Sequence, residues 1–274
     1  MPRLPSSALP VNVVRVGPSG HVRLRDLAAA EEPLEIRVQG TSFMVTMRTP
    51  GADPDLGAGL LLAERVIQGR ADLRSIRHCT NTVDVGNVLD VMLTGEAATR
   101  AEGLLAARRL VTATSACGVC GRRSIDDLMQ GVPRLGSHMR VPGALITGLP
   151  GHLRAAQQGF EKTGGLHAAG LFDSAGGMIA VAEDVGRHNA VDKVIGSQLM
   201  AAALPLDGHI LFVSGRTSFE IVQKAAIAGV PIVAAVSAPS SLAIDLAADA
   251  GITLIGFVRG DSFNVYTGFE RVEL

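Results

Sequence analysis

Ile210-Leu211-Phe212-Val213-Ser214 is a short apolar run that ends on a hydroxyl, and the polar turn Gly215-Arg216-Thr217 follows it. Ser218 to Ala228 then has the length of a helix, and Pro231 to Val236 is a second apolar run. Strand, helix and strand at this spacing predict a parallel pair joined by a right-handed crossover. The pattern continues in both directions. Leu166 to Phe172 and Met178 to Glu183 read as two strands joined by the turn Asp173-Ser174-Ala175-Gly176-Gly177, and a helix is expected over about Ala190 to Ala203. Beyond Val236 come a helix, Ser241 to Ala250, and a strand, Ile252 to Phe257, with Phe263 to Thr267 as a candidate edge strand. Strands that alternate with helices in this way define an α/β fold.

Working outward, Pro142-Gly143 opens a segment to Phe160 that reads as helical, with a break expected at Pro150-Gly151 and an end at Gly164-Gly165. Residues 142–274 are thus expected to form one α/β domain. Residues 31–110 read as a small α+β unit. Its strands are Leu34 to Val38, Phe43 to Arg48, a stretch near Ile76 and Val83 to Leu93, with a helix over Leu56 to Ile67. Residues 1–30 carry several prolines and are expected to be a loose N-terminal tail. Residues 111–141 are left as a loop and linker.

Composition limits the function. The chain has 274 residues and a formal net charge of -1, so no basic field draws it to nucleic acid. It has no Trp and a single Tyr, which argues against base-stacking platforms. No apolar run reaches the ~18 residues that a membrane span needs, and no signal-peptide core follows the N-terminus. Three cysteines suit a reducing compartment, so a cytoplasmic protein is expected. The mean hydropathy of +0.30 fits a sheet buried on both faces, and it makes a symmetric homodimer plausible.

Within the linker lies Ser115-Ala116-Cys117-Gly118-Val119-Cys120-Gly121-Arg122-Arg123. Glycine follows each cysteine and leaves the sulfurs open to approach. Arg122, Arg123 and a short helix expected from Ser124 favour a thiolate, the nucleophilic form. Four readings compete: a zinc site, which needs more ligands than this pair supplies; a structural disulfide, which would close a tiny loop; a thioredoxin-like redox pair, for which no strand precedes the motif; and a nucleophilic or sulfur-carrying Cys117 with Cys120 in support. The last accounts for most of the residues. Cys79 is expected to be a small buried hydrophobe.

Ligands of open α/β sheets sit beyond the carboxyl ends of the strands. Three junctions there are polar: Glu183-Asp184-Val185-Gly186-Arg187-His188-Asn189, Ser214-Gly215-Arg216-Thr217-Ser218 and Ser237-Ala238-Pro239-Ser240-Ser241. Helix starts with free N–H groups accept anions, and Arg187 and Arg216 suit phosphate. Helix capping alone would also explain Ser218 and Ser240. No dinucleotide fingerprint or Walker A motif is present. His167-Ala168-Ala169 lacks the Glu of a zinc deaminase, so His167 is either a core histidine or a pocket residue, and His188 is the better pocket candidate.

Several blocks in one order carry a resemblance. They are Cys117-Gly118-Val119-Cys120-Gly121, Thr163-Gly164-Gly165-Leu166-His167-Ala168-Ala169, Glu183 to Lys193, and Ser214 to Ser218. From about Glu31 to the C-terminus the chain resembles the formate dehydrogenase accessory sulfurtransferases, the FdhD/NarQ family. That resemblance implies a cytoplasmic sulfur carrier that takes sulfur from a cysteine desulfurase. It implies delivery to the molybdenum cofactor in its bis(molybdopterin guanine dinucleotide) form, which activates formate dehydrogenase. The family's persulfide cysteine corresponds to Cys117, with Cys120 as its partner, either resolving or tuning. Its cofactor-binding segment corresponds to Phe257-Val258-Arg259-Gly260-Asp261-Ser262, and Arg187, His188, Arg216 and Ser218 are expected beside it. The implied C-terminal fold is a three-layer domain like cytidine deaminase. A zinc-dependent deaminase-like hydrolase and a non-catalytic cofactor chaperone are the rival functions.

Overall fold

The computed structural model describes residues 7–80, 86–109 and 131–274. Two sheets dominate it. The larger has six strands in the order β13-β12-β11-β10-β8-β9. These are β8 (His167–Asp173), β9 (Met178–Asp184), β10 (His209–Val213), β11 (Ile232–Ala235), β12 (Thr253–Arg259) and β13 (Ser262–Thr267). The expected crossovers are present: β10, β11 and β12 run parallel. β8 lies antiparallel to β10 and pairs with β9 as a hairpin, while β13 returns antiparallel along β12 at the edge. The β8–β9 turn closes locally, because Asp173 Oδ1 accepts the amides of Ala175 (2.9 Å) and Gly177 (2.8 Å) and Gly176 takes a φ of +83°.

Alternation along the strands fills both faces. Ala168, Phe172, Ile210, Phe212, Ile232, Ala234 and Ile255 pack with Ile146, Leu149 and Leu153 of helix α3 (Gly143–Ala156). Ala169, Leu171, Leu211, Val213, Val233, Ala235 and Leu254 face the opposite way, towards α5 (Arg187–Met200), α6 (Phe219–Ala228) and α7 (Ser241–Ala250). Burial on both sides explains strands that are apolar without interruption.

The smaller sheet has four strands in the order β4-β3-β6-β5. They are β3 (Glu32–Val38), β4 (Thr41–Arg48), β5 (Leu73–His78) and β6 (Val88–Leu93), flanked by α1 (Asp53–Ala63) and α2 (Gly95–Arg109). Leu34, Ile36, Leu89 and Val91 belong to the same apolar cluster as α5 and α6, so one core runs through both sheets. α1 packs chiefly on α5. The crossing is close because glycines meet backbone there: a Cβ on Gly59 would lie 2.0 Å from the Asp192 carbonyl oxygen, and one on Gly196 1.8 Å from that of Asp55.

Three expectations need correction. Residues 8–29, expected to be a loose tail, form the hairpin β1 (Ala8–Gly17) and β2 (Gly20–Ala29), turned at Pro18-Ser19 and paired in full register. Helix α3 runs through Pro150 and ends at Gln157, whose ψ of 67° breaks it before α4 (Gln158–Thr163). Cys79 is half-buried at the end of β5 rather than sealed in the core. Val141 and Pro142 (β7) pair with Val272 and Glu273 (β14), which ties the C-terminus beside α3. No helix among the described residues is long and apolar enough to cross a membrane.

Candidate functional site

The strand order dictates where polar residues collect. The carboxyl ends of β9, β10, β11 and β12 and the start of β8 lie along one edge of the sheet, so the polar junctions are neighbours. They are also stitched together by backbone. Thr217 N donates to Ala238 O (3.2 Å), Ser240 N to Thr217 O (3.0 Å) and Phe257 N to Ser237 O (3.2 Å).

The β9–α5 turn faces two ways. On its buried side Asp184 Oδ2 meets Lys193 Nζ at 2.7 Å and accepts Thr49 N (3.1 Å), while Asp184 Oδ1 accepts Gly186 N (2.8 Å) and Asn189 Nδ2 (3.0 Å). Lys193 Nζ also donates to Thr49 O (2.8 Å), and Asn189 Nδ2 to Met47 O (2.7 Å). These residues lock the turn to the segment that leads from β4 to α1. They have structural work and are not free for a ligand.

Arg187 and His188 project from the other side. His188 Nε2 lies 2.9 Å from Ser218 Oγ, and its Nδ1 lies 3.2 Å from Glu220 Oε2, off the line of a good hydrogen bond. Glu220 Oε1 is 3.1 Å from Lys224 Nζ, and Lys224 reaches Asp192 Oδ2 at 2.5 Å. Positions 188 and 192 on α5 thus face 220 and 224 on α6, each pair one helical turn apart. Burial pushes the His188 pKa down to about 4, against a smaller upward pull from Glu220. The imidazole is therefore neutral at neutral pH. Burial also raises Asp192, to about 7.

His167 stands beside this group. A Cβ on Gly215 would lie 3.3 Å from His167 Nδ1 and 3.9 Å from Arg187 Cδ, so the absence of a side chain at Gly215 leaves room between them. Burial lowers the His167 pKa, and the Arg187 charge lowers it further. His167, Ser214, Val236, Gln157 and Arg154 line a cavity of about 580 Å³ on the α3 side of the edge. Several polar atoms here are buried without partners: Arg187 Nε, Thr217 Oγ1, Glu220 Oε2 and Asp192 Oδ1. Buried polar groups normally find partners, so this concentration is unusual.

Arg216 and the 257–262 segment belong to the same sheet edge. Arg216 is exposed at the β10–α6 turn. The Phe257-Val258-Arg259-Gly260-Asp261-Ser262 segment is the β12–β13 turn, with positive φ at Phe257 (53°) and Gly260 (54°). Arg259 Nε donates to Val236 O (3.1 Å), and its guanidinium stands over the Phe257 ring, 5.5 Å from the centroid. Val258 is buried, while Asp261 and Ser262 are exposed. No hydrogen bond or ion pair among the described residues joins this turn to Arg187, His188 or Ser218. Cys117 and Cys120, with Arg122 and Arg123, lie outside the described residues. Glu220, Lys224 and Asp192 were not singled out from sequence. Their signal was charge at helical spacing inside otherwise apolar helices.

Fold and site together define a class: an α/β protein whose polar residues, among them Arg187, His188, Ser218 and Glu220, gather along one sheet edge. Comparison with known proteins narrows it. The chain belongs to the FdhD/NarQ family, whose profile matches residues 29–273. It is 50% identical over 267 residues to "Sulfur carrier protein FdhD" of Nocardia farcinica, covering 95% of this chain and 93% of that one. A protein of the same description from Anaeromyxobacter dehalogenans is 52% identical, covering 92% and 90%. A crystal structure described as a formate dehydrogenase accessory protein, from Desulfotalea psychrophila, superposes with a TM-score of 0.77 at 24% identity, covering 98% of this chain and all of that one. That likeness concerns the fold.

Proposed function

We propose that this chain is a sulfur carrier that serves formate dehydrogenase: a sulfurtransferase that accepts persulfide sulfur from a cysteine desulfurase and passes it to the bis-guanine-dinucleotide molybdenum cofactor. Membership of the family and relatives described as sulfur carriers support the carrier role. For a nucleotide-bearing acceptor, the supporting observation is the cluster of unpaired donors at the sheet edge. Arg187 Nε and Thr217 Oγ1 are buried without partners, as donors awaiting the oxygens of a pyrophosphate would be.

In this reading the Cys117 thiolate attacks the sulfane sulfur of the donor. A sulfur–sulfur bond forms on Cys117, the donor's own sulfur–sulfur bond breaks, and the donor leaves as a thiolate. Arg122 and Arg123 favour the charged nucleophile. Arg187, Arg216, Ser218, His188 and the 257–262 turn hold the guanine-nucleotide parts of the acceptor. The larger sheet, with its first strand antiparallel to three parallel ones, we read as a cytidine-deaminase-like layer. Ala169 then stands where such an enzyme carries its catalytic Glu, so carrier chemistry replaces hydrolysis.

Incubation with a cysteine desulfurase and cysteine, followed by intact mass measurement, tests the carrier role. The expected result is a gain of about one sulfur, roughly 32 Da, that cyanide removes and Cys117→Ala abolishes. A chain that gains no sulfur, or one in which Cys117→Ala gains it equally, overturns the proposal.

A further inference from the structure

Ser218, His188 and Glu220 form a constellation whose chemistry goes beyond holding a nucleotide. Ser218 occupies the N-cap of α6, yet its hydroxyl makes no capping bond. It lies instead 2.9 Å from His188 Nε2. On α7, by contrast, Ser240 in the same position accepts the Ala243 amide at 3.3 Å. The Ser218 hydroxyl has thus been withdrawn from the helix and given to an imidazole. On the other side of that ring Glu220 Oε2 lies 3.2 Å from Nδ1, and Lys224 steadies Glu220 through its second oxygen at 3.1 Å. Ser218 is half-buried. The amides of Phe219 and Glu220 donate to no acceptor among the described residues. Together with the unpaired Arg187 they offer positive groups to an oxyanion next to Ser218.

We propose that Ser218 is a nucleophilic serine, with His188 as its base and Glu220 as the group that stabilises the imidazolium, and that its substrates are phosphoric esters or anhydrides. The Ser218 oxygen attacks phosphorus, the hydroxyl proton moves to His188 Nε2, and the bond from phosphorus to the leaving oxygen breaks. The His188 proton then passes to the leaving oxygen. In a second step water, deprotonated by His188, attacks the phosphorus, and the Oγ–P bond breaks with the proton returning to Ser218. No oxidant or reductant is needed. The arrangement follows the logic of an activated nucleophile: hydroxyl and base within hydrogen-bond reach, and a carboxylate 3.2 Å from the base's other nitrogen, placed to stabilise the imidazolium once it forms. Arg187 selects phosphorus over uncharged acyl carbon. This activity shares the cleft proposed above for the acceptor but needs neither Cys117 nor a persulfide.

The test is a fluorophosphonate probe on the full chain, read by intact mass and peptide mapping. Ser218 is expected to form the new oxygen–phosphorus bond as fluoride leaves, giving one adduct that maps to Ser218. His188→Gln, checked for native circular dichroism, is expected to react about 100-fold more slowly. The wild-type rate is expected to be level between about pH 6 and 8 and to fall below about pH 5, as His188 takes up a proton. The groups that set this profile are Glu220 and Lys224 on α6, Arg187 on α5 and His167 on β8. No adduct, an adduct confined to other residues, an equal rate in His188→Gln, or a rate that climbs steadily to about pH 10 overturns the proposal.

Discussion

The turn from Glu183 to Lys193 has a buried side and a cleft side, and they differ in how far their polar groups are satisfied. Asp184, Asn189 and Lys193 are almost wholly buried, and they are joined to each other and to the Met47–Thr49 backbone. Arg187 and His188 come from the same eleven residues, yet Arg187 Nε is buried with nothing to bind and His188 spends its hydrogen bond on Ser218. One side was completed for stability, and the other was left incomplete at a cost in stability. That asymmetry supports the proposed site more than any motif does, because a compact motif in sequence divides into scaffold and candidate function only when its faces are known.

Breaking the buried side is expected to produce the largest change. Lys193→Met strands the Asp184 carboxylate in the core, and a loss of about 3–5 kcal/mol is expected in urea unfolding. The same substitution on a side chain with little structural work would cost little, so a loss below about 1 kcal/mol would erase the contrast between the sides.

The two serine helix starts sharpen the comparison with a smaller effect. Ser240→Ala removes a working cap and is expected to cost about 1 kcal/mol. Ser218→Ala removes a hydroxyl that bonds His188 rather than the helix, so its cost is expected to fall to a few tenths of a kcal/mol once His188 is also replaced by Ala, read from the same unfolding curves. A loss at position 218 in the His188→Ala background equal to that of Ser240→Ala would mean that Ser218 caps α6 after all.

Much of the architecture was legible because apolar runs of strand length alternate with helices from Leu166 onward, and the structure has those elements within a few residues. Helix α2 and the β1–β2 hairpin were not. Helix α2 carries its buried stripe on Ala97, Ala101 and Leu105, and alanine gives too weak a contrast for periodicity to register. In the β1–β2 hairpin the alternation His21-Val22-Arg23-Leu24-Arg25 was present in the sequence, but the prolines at positions 2, 5, 10 and 18 pointed away from strands. At the site, the junctions were readable from strand-to-helix chemistry. Glu220, Lys224 and Asp192 were not, since a charge on a helix reads as a solvated face until tertiary packing turns it inward. Glu183 shows the same limit: it caps α4 through the Gly159 and Phe160 amides, each at 2.7 Å, a pairing made across 24 and 23 residues.

The claim on which the reading of the cleft rests is that the unpaired cation at the sheet edge holds the phosphates of a guanine nucleotide. Calorimetric titration of guanosine diphosphate into the wild type and Arg187→Ala measures it directly. Saturable binding is expected in the wild type, weakened by about 10- to 100-fold in the variant while the urea midpoint does not fall. Equal affinity in the two proteins, at equal stability, would contradict it.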